Sequence, residues 1–215
     1  MQTLLIGTNN PSKLEIIRSY LAPYDVQVVS PRSLGLDDIP AEEARTAIGN
    51  AIEKAKAWHA VSGLPVITED SGLVFLDLPL DHPDQPGVHV RRAAGHVMTD
   101  DEMLAWYQAI IHRHGGQLRA AWADAWCLLS SPDCYWTYED PFEKLELHAR
   151  TMIDQPCDKR LPGWPLDSLT YFPQLGKYKS EMTIEEMGQV VTQTDRQAFI
   201  SWLHHSVNEM LKAEE

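Results

Sequence analysis

The sequence is short of positive charge, short of cysteine and without any long apolar run, and each shortage removes a class of function. Eighteen Lys and Arg stand against 31 Asp and Glu, a formal net charge of -13 at pH 7. A field of that sign works against holding a nucleic-acid backbone or an anionic membrane, so no nucleic acid and no membrane is expected as partner. A polyanionic ligand must instead meet a local basic pocket. The cysteines Cys127, Cys134 and Cys157 are odd in number and lack paired metal-ligand spacing. They read as reduced thiols of a cytoplasmic protein, each serving as a small buried hydrophobe. The apolar run before Gly7 is brief, no stretch approaches membrane-spanning length, and no targeting signal is visible. Internal repeats and low-complexity segments are also absent.

With 215 residues, 44% hydrophobic composition and seven Trp, the chain suits a single globular domain, residues 1–215, with a sizeable core. Its centre is Val66–Leu76, where Glu69, Asp70, Ser71 and Gly72 sit between two apolar, strand-like runs. Adjacent carboxylates resist desolvation unless a cation, water or hydrogen-bond donors offset them, so positive charge is expected beside them. The plainer alternative is a surface turn with both acids facing water.

Upstream, Thr3–Ile6 reads as a buried strand that leads through Gly7–Lys13 into a helix. Asn10 is its cap, Pro11 its first residue, and Leu14, Ile17, Tyr20 and Leu21 its apolar face. The helix N-terminus with Lys13 suits an anion, although a capped helix with an exposed lysine explains the same residues. Val26–Val29 reads as a second strand. A long helix is expected from Ala41 to about Val61, ended by Gly63, with Glu42 and Glu43 in its first turn and Lys54 and Lys56 on a polar face. The proline-rich segment from Leu78 to Gly87 reads as a solvated loop. Its Asp81, His82 and Asp84 are metal-type residues without a second ligand cluster. Thr99 and Glu102 spell a capping box for a helix reaching His114. Gln117 to Arg150 reads as a strand pair plus a further strand, with Trp122, Trp126, Trp136 and Tyr138 as packing groups. Prolines and a glycine hold Trp164 and Asp167 on a shaped loop before a strand at Leu169–Phe172. A turn at Gly176-Lys177, a short helix at Ser180–Met182 and a terminal helix capped by Thr194–Gln197 complete the chain.

These pieces, in this order, resemble the inosine triphosphatase family of nucleoside triphosphate pyrophosphatases, over nearly the whole length. Thr8–Lys13 resembles the family's T-x-N-x-x-K phosphate loop, and Glu69–Leu73 its acidic D-D-S-G-L motif. Pro86–Gly95 resembles P-G-x-x-x-x-R-x-A-G, Asn50–Lys54 is similar to N-A-x-x-K, and Gly176–Met182 to G-K-x-x-x-E-[LM]. The chain departs from the family's F-G-[WY]-D at Trp164–Asp167, and from its S-H-R at Thr194-Asp195-Arg196.

The resemblance implies an elongated α/β fold with a mixed central β-sheet flanked by helices, two lobes with a substrate cleft between them, and a homodimer. It implies Mg²⁺-dependent hydrolysis of purine nucleoside triphosphates such as ITP, dITP and XTP to monophosphate and pyrophosphate, with Mn²⁺ as an alternative ion. Asp70 would be the catalytic carboxylate, and Glu69, Asp70 and Glu43 or Glu42 the metal-side acids. Thr8, Asn9, Asn10, Lys13, Lys54, Ser71, Lys177 and Arg196 would meet the phosphates. Trp164, Asp167 and Asp195 would lie at the base, and Arg92 is read as structural. A carboxylate at Asp195 repels a carbonyl oxygen and accepts from an amino group, so a related enzyme acting on an amino purine is the alternative. A nucleotide-binding regulator without turnover is the other.

Overall fold

The computed structural model describes residues 2–36, 43–190 and 197–212. Among these, eight strands form one open mixed sheet: β1 (Gln2–Ile6), β2 (Val26–Val29), β3 (Val66–Phe75), β4 (Gln117–Ser131), β5 (Cys134–Glu139), β6 (Arg150–Ile153), β7 (Thr170–Phe172) and β8 (Lys177–Tyr178). Their order is β2-β1-β3-β4-β6-β7-β8, with β5 paired to β4. β1 runs parallel to β2 and β3, while the β4–β5, β4–β6, β6–β7 and β7–β8 pairs are antiparallel. Parallel neighbours need crossovers, and helices α1 (Pro11–Leu21) and α2 (Ala47–Ser62) lie on those connections. The other helices are α3 (Asp100–Arg113), α4 (Phe142–Leu147), α5 (Ile184–Val190) and α6 (Gln197–Lys212).

Two compact units emerge, one comprising Met1–Ser71, Asp124–Asp140 and Arg196–Glu215, the other Gly72–Ala123 and Pro141–Asp195. The first unit buries Leu4, Ile6, Ile17, Ile67, Phe199 and Leu203 in its largest core cluster. The second buries Leu73, Phe75, Tyr107, Ile111, Leu118 and Met152. Trp126, Trp136 and Tyr138 pack in or against the first cluster and Trp122 against the second, the packing role read from the sequence. Of the cysteines, only Cys127 is buried; Cys134 is exposed and Cys157 partly so, and burial pushes the Cys127 thiol up to about 12.

α1 starts as expected: Asn10 Oδ1 accepts the Lys13 N–H at 3.4 Å, and the Asn10 carbonyl accepts Leu14 N–H at 3.0 Å. α2 starts later than the sequence suggested. Its cap is Thr46, whose side chain accepts the Gly49 N–H, a bond that Ala41 has no side-chain acceptor to make. Glu43 therefore precedes the helix, exposed, with its backbone N–H on Glu53 Oε2 at 3.3 Å. Gly63, at φ 68°, ends α2 in the left-handed conformation. Thr99 and Glu102 form the expected capping box on α3. Two short helices, α4 and α5, and the two-residue β8 were not anticipated.

The alternative of a surface turn with both acids facing water does not hold: β3 is one continuous strand through Glu69–Gly72. Gly72 permits this because a Cβ there would lie 3.0 Å from the Gly87 carbonyl oxygen. Gly7 makes another close approach: a Cβ would come within 2.7 Å of both Thr68 Cγ2 and Trp58 Cδ1. The turn after β1 thus sits directly against β3 and α2.

Candidate active site

Side chains alternate along a strand, and in the first unit β3 presents its odd residues toward α1 and its even residues toward α2. Ile67 packs with Ile17 and Leu21 of α1, whereas Val66 packs with Trp58 of α2 and Thr68 Oγ1 donates to the Ala51 carbonyl of α2 at 2.7 Å. The two acids follow the same rule. Glu69 meets Lys13 of α1, Oε2 to Nζ 2.6 Å. Asp70 meets α2, accepting from Asn50 Nδ2 at 3.0 Å and from Lys54 Nζ at 3.3 Å. Each of the adjacent carboxylates thus has its own ammonium group, as the charge argument required, and the strand separates them.

Asp70 and Lys54 are only 7% and 8% exposed. Lys54 Nζ also donates to the Glu69 carbonyl at 3.3 Å, so its charge is held against both backbone and side chain. Burial pulls the Lys13 ammonium down, but the Glu69 carboxylate, followed by Asp70 and Asp124, outweighs it and holds Lys13 above the ordinary lysine value. In the turn after β1, Thr8 Oγ1 accepts the Asn10 N–H at 3.2 Å. Asn50 Oδ1 and Asn9 Oδ1 are buried oxygens with no hydrogen-bond partner among the described residues. Ser71 is partly buried at the end of this unit.

Asp195, Arg196 and Glu42 lie outside the described residues. Among those described, Glu43, Glu69 and Asp70 do not converge as a trio with ligand atoms within 4.8 Å of one another. The late start of α2 leaves Glu43 apart, and the alternation of β3 parts the other two.

In the second unit, Trp164 is 40% exposed and precedes a short 3₁₀ turn at Pro165–Ser168. Asp167 Oδ1 accepts from Lys179 Nζ at 2.9 Å, and the same ammonium lies 5.7 Å from the centre of the Trp164 ring. Lys179 is therefore a member of the predicted base-side group that the sequence reading missed. Its only signal was its place two residues after Lys177. Lys177 itself pairs with Glu186 of α5.

The loop bearing Trp164 is anchored by Asp100, which does more than complement the α3 dipole. Asp100 Oδ2 accepts the Gly163 N–H at 2.6 Å while Oδ1 accepts from Arg91 at 2.8 Å. The Gly163 N–H and then Arg91 hold the Asp100 carboxyl below the usual carboxylate range. Its stabilisation is present above the unfolded-state pKa and is lost as pH falls through the depressed folded value. The melting-temperature gap between the wild type and Asp100→Asn should accordingly be widest near neutrality and close in acid. A gap independent of pH would contradict this anchoring.

The open mixed α/β sheet is that of solved Ham1 proteins. The chain superposes on a HAM1 protein from Coxiella burnetii with a TM-score of 0.70 and 20% identity, covering 96% of this chain and 100% of that one. It superposes on the Staphylococcus aureus Ham1 protein with a TM-score of 0.70 and 20% identity, over 95% and 99% of the two chains. Residues 4–192 match the Ham1 family, and the chain belongs to it. It is 31% identical over 189 residues to the dITP/XTP pyrophosphatase of Yersinia pseudotuberculosis, covering 86% of this chain and 89% of that protein. It is 36% identical over 191 residues to the dITP/XTP pyrophosphatase of Erwinia tasmaniensis, covering 86% of each.

Proposed function

We propose that the protein hydrolyses purine nucleoside triphosphates of the ITP, dITP and XTP type to the monophosphate and pyrophosphate. The observation that carries this reading is Asp70, a buried carboxylate held between Asn50 and Lys54 on a strand whose next acid is paired with Lys13. The Ham1 relatives named as dITP/XTP pyrophosphatases support the substrate class.

In the proposed mechanism a water attacks the α-phosphorus, Asp70 takes its proton, and the bond to the bridging oxygen of pyrophosphate breaks. Lys13 and Lys54 offset the oxygen charge that accumulates, and backbone and side-chain donors of Thr8–Asn10 and Ser71 orient the phosphates. Lys177 and Arg196 are assigned to the same task. The donor chemistry, carboxylate oxygens of Glu69, Asp70 and Glu43 and the buried Asn50 Oδ1 and Asn9 Oδ1, suits a hard divalent cation, although the three acids do not converge as one trio. Mg²⁺ or Mn²⁺ would be held by one or two of these acids with water completing the shell, and would neutralise phosphate charge. Trp164, with Asp167 and Asp195, is assigned to the base. A homodimer in the cytoplasm is the proposed setting, the dimer being testable by sedimentation.

Pyrophosphate release with Mg²⁺ across ITP, dITP, XTP, GTP, ATP and dATP tests the reading. Selective turnover of the first three is expected. Preference for an amino purine would make Asp195 the specificity determinant, and no turnover of any nucleotide would leave a binding protein. Trp164→Ala should raise KM by about 5- to 150-fold, the equivalent of the ~1–3 kcal/mol that base stacking on an aromatic ring contributes. An unchanged KM would move the base away from Trp164.

A further inference from the structure

By sequence, Asp81, His82 and Asp84 belong to a solvated loop without a second ligand segment. The fold supplies one. Within the second unit, His114 at the C-terminal end of α3 comes beside His82 and Asp84. One ligand atom from each lies within 4.8 Å of the other two, the only such trio of His, Cys, Asp or Glu among the described residues. We propose that His82, Asp84 and His114 form a binding site for a divalent transition ion of the zinc class, separate from the Glu69–Asp70 strand.

Three features support this. First, the three groups already lie together: His114 Nε2 is 2.9 Å from Asp84 Oδ2 and the His82 and His114 rings stand edge to face with centroids 5.2 Å apart. The His82 lone pair is engaged by the Asp84 backbone N–H, Nδ1 at 3.1 Å, and ligation would release that bond. The contact between His114 and the carboxylate occupies the place an ion between them would take. Second, the loop is held in position. The Gln85 side chain accepts from Phe75 N–H and donates to the carbonyls of Phe75, Leu78 and Pro79, which fixes both ends of the turn carrying His82 and Asp84. Third, the site stands at the C-terminal end of a helix, where the backbone dipole favours a cation. Two imidazoles and a carboxylate, with water as the fourth ligand, are the donor set of an open zinc-type site, and imidazole nitrogen discriminates against Mg²⁺ and Ca²⁺. Arg113 donates to Asp84 Oδ1 at 2.7 Å, leaving Oδ2 as the ligand oxygen, and its side chain is 58% exposed and free to turn away. A simple ion-pair cluster accounts for Arg113, Asp84 and His114, with His82 accepting the Asp84 backbone N–H; the ion accounts in addition for the His82 ring standing against His114.

The test is titration of the metal-stripped full chain with Co²⁺, and with Zn²⁺ as competitor, in the presence of excess Mg²⁺. One equivalent of Co²⁺ should give the intense visible bands of a four-coordinate, nitrogen-containing site, Zn²⁺ should displace it, and either ion should raise the melting temperature. His82→Gln and His114→Gln should each weaken binding by more than about 100-fold, beyond the loss expected from an outer partner. Asp70→Asn should bind as the wild type does, which separates this site from the proposed catalytic one. Absence of a one-equivalent Co²⁺ spectrum from the wild type, or wild-type affinity in either histidine variant, overturns the proposal. Should a variant fail to fold, X-ray absorption of the wild-type zinc complex decides: two imidazoles in the shell support the site, and an all-oxygen shell refutes it.

Discussion

Asp70→Asn is expected to lower kcat by about 10²- to 10⁴-fold, the range that a positioned general base contributes. The fold should survive, because an asparagine oxygen can still accept from Asn50 Nδ2 or Lys54 Nζ in the same volume. Steady-state kinetics with ITP and far-UV circular dichroism read the two halves of this expectation. A variant with wild-type turnover would remove Asp70 from the chemistry. A variant without secondary structure would make the residue structural.

The largest stability effect is expected at Lys54→Met. The side chains of Lys54 and Asp70 are 9% and 11% exposed, and removing the ammonium leaves the carboxylate buried with Asn50 as its remaining side-chain donor among the bonds described. Breaking a buried pair from one side costs about 3–5 kcal/mol, a large part of the ~5–15 kcal/mol that holds an ordinary domain together. Urea denaturation should register that loss. Adding Asp70→Asn to Lys54→Met should recover most of it, since no unpaired charge then stays buried, while turnover stays absent. Simple additivity of the two single variants would mean that the residues do not act as a pair.

Much of the fold was legible because it is written in local chemistry. The Asn10-Pro11 start of α1, the Thr99–Glu102 box and the Gly63 stop each announce themselves within a few residues. Harder to see was whatever depends on what lies across space. The carboxylates of β3 left a surface turn open as an alternative, because polar residues between apolar runs often form one. Lys13 and Lys54 make them affordable inside a strand, and the Gly72–Gly87 approach lets the neighbouring chain run alongside it. Asp100 stands within the Thr99–Glu102 capping segment, and nothing local in the sequence joins it to Gly163, 63 residues away. His114 could not be joined to His82 from sequence, since helix α3 is what carries it there. The lysines of the candidate site were recognisable from their motifs, but which lysine meets which acid follows only from the period-two alternation of β3.

That alternation leaves Lys13 and Glu69 neutralising each other at 2.6 Å. A lone phosphate that drew Lys13 away would strand Glu69, and a lone cation that took Glu69 would strand Lys13. On the proposed roles, a metal–triphosphate complex arriving as one ion-paired body satisfies both partners in a single exchange. On those roles the contact would favour phosphate and cation presented together over either one alone.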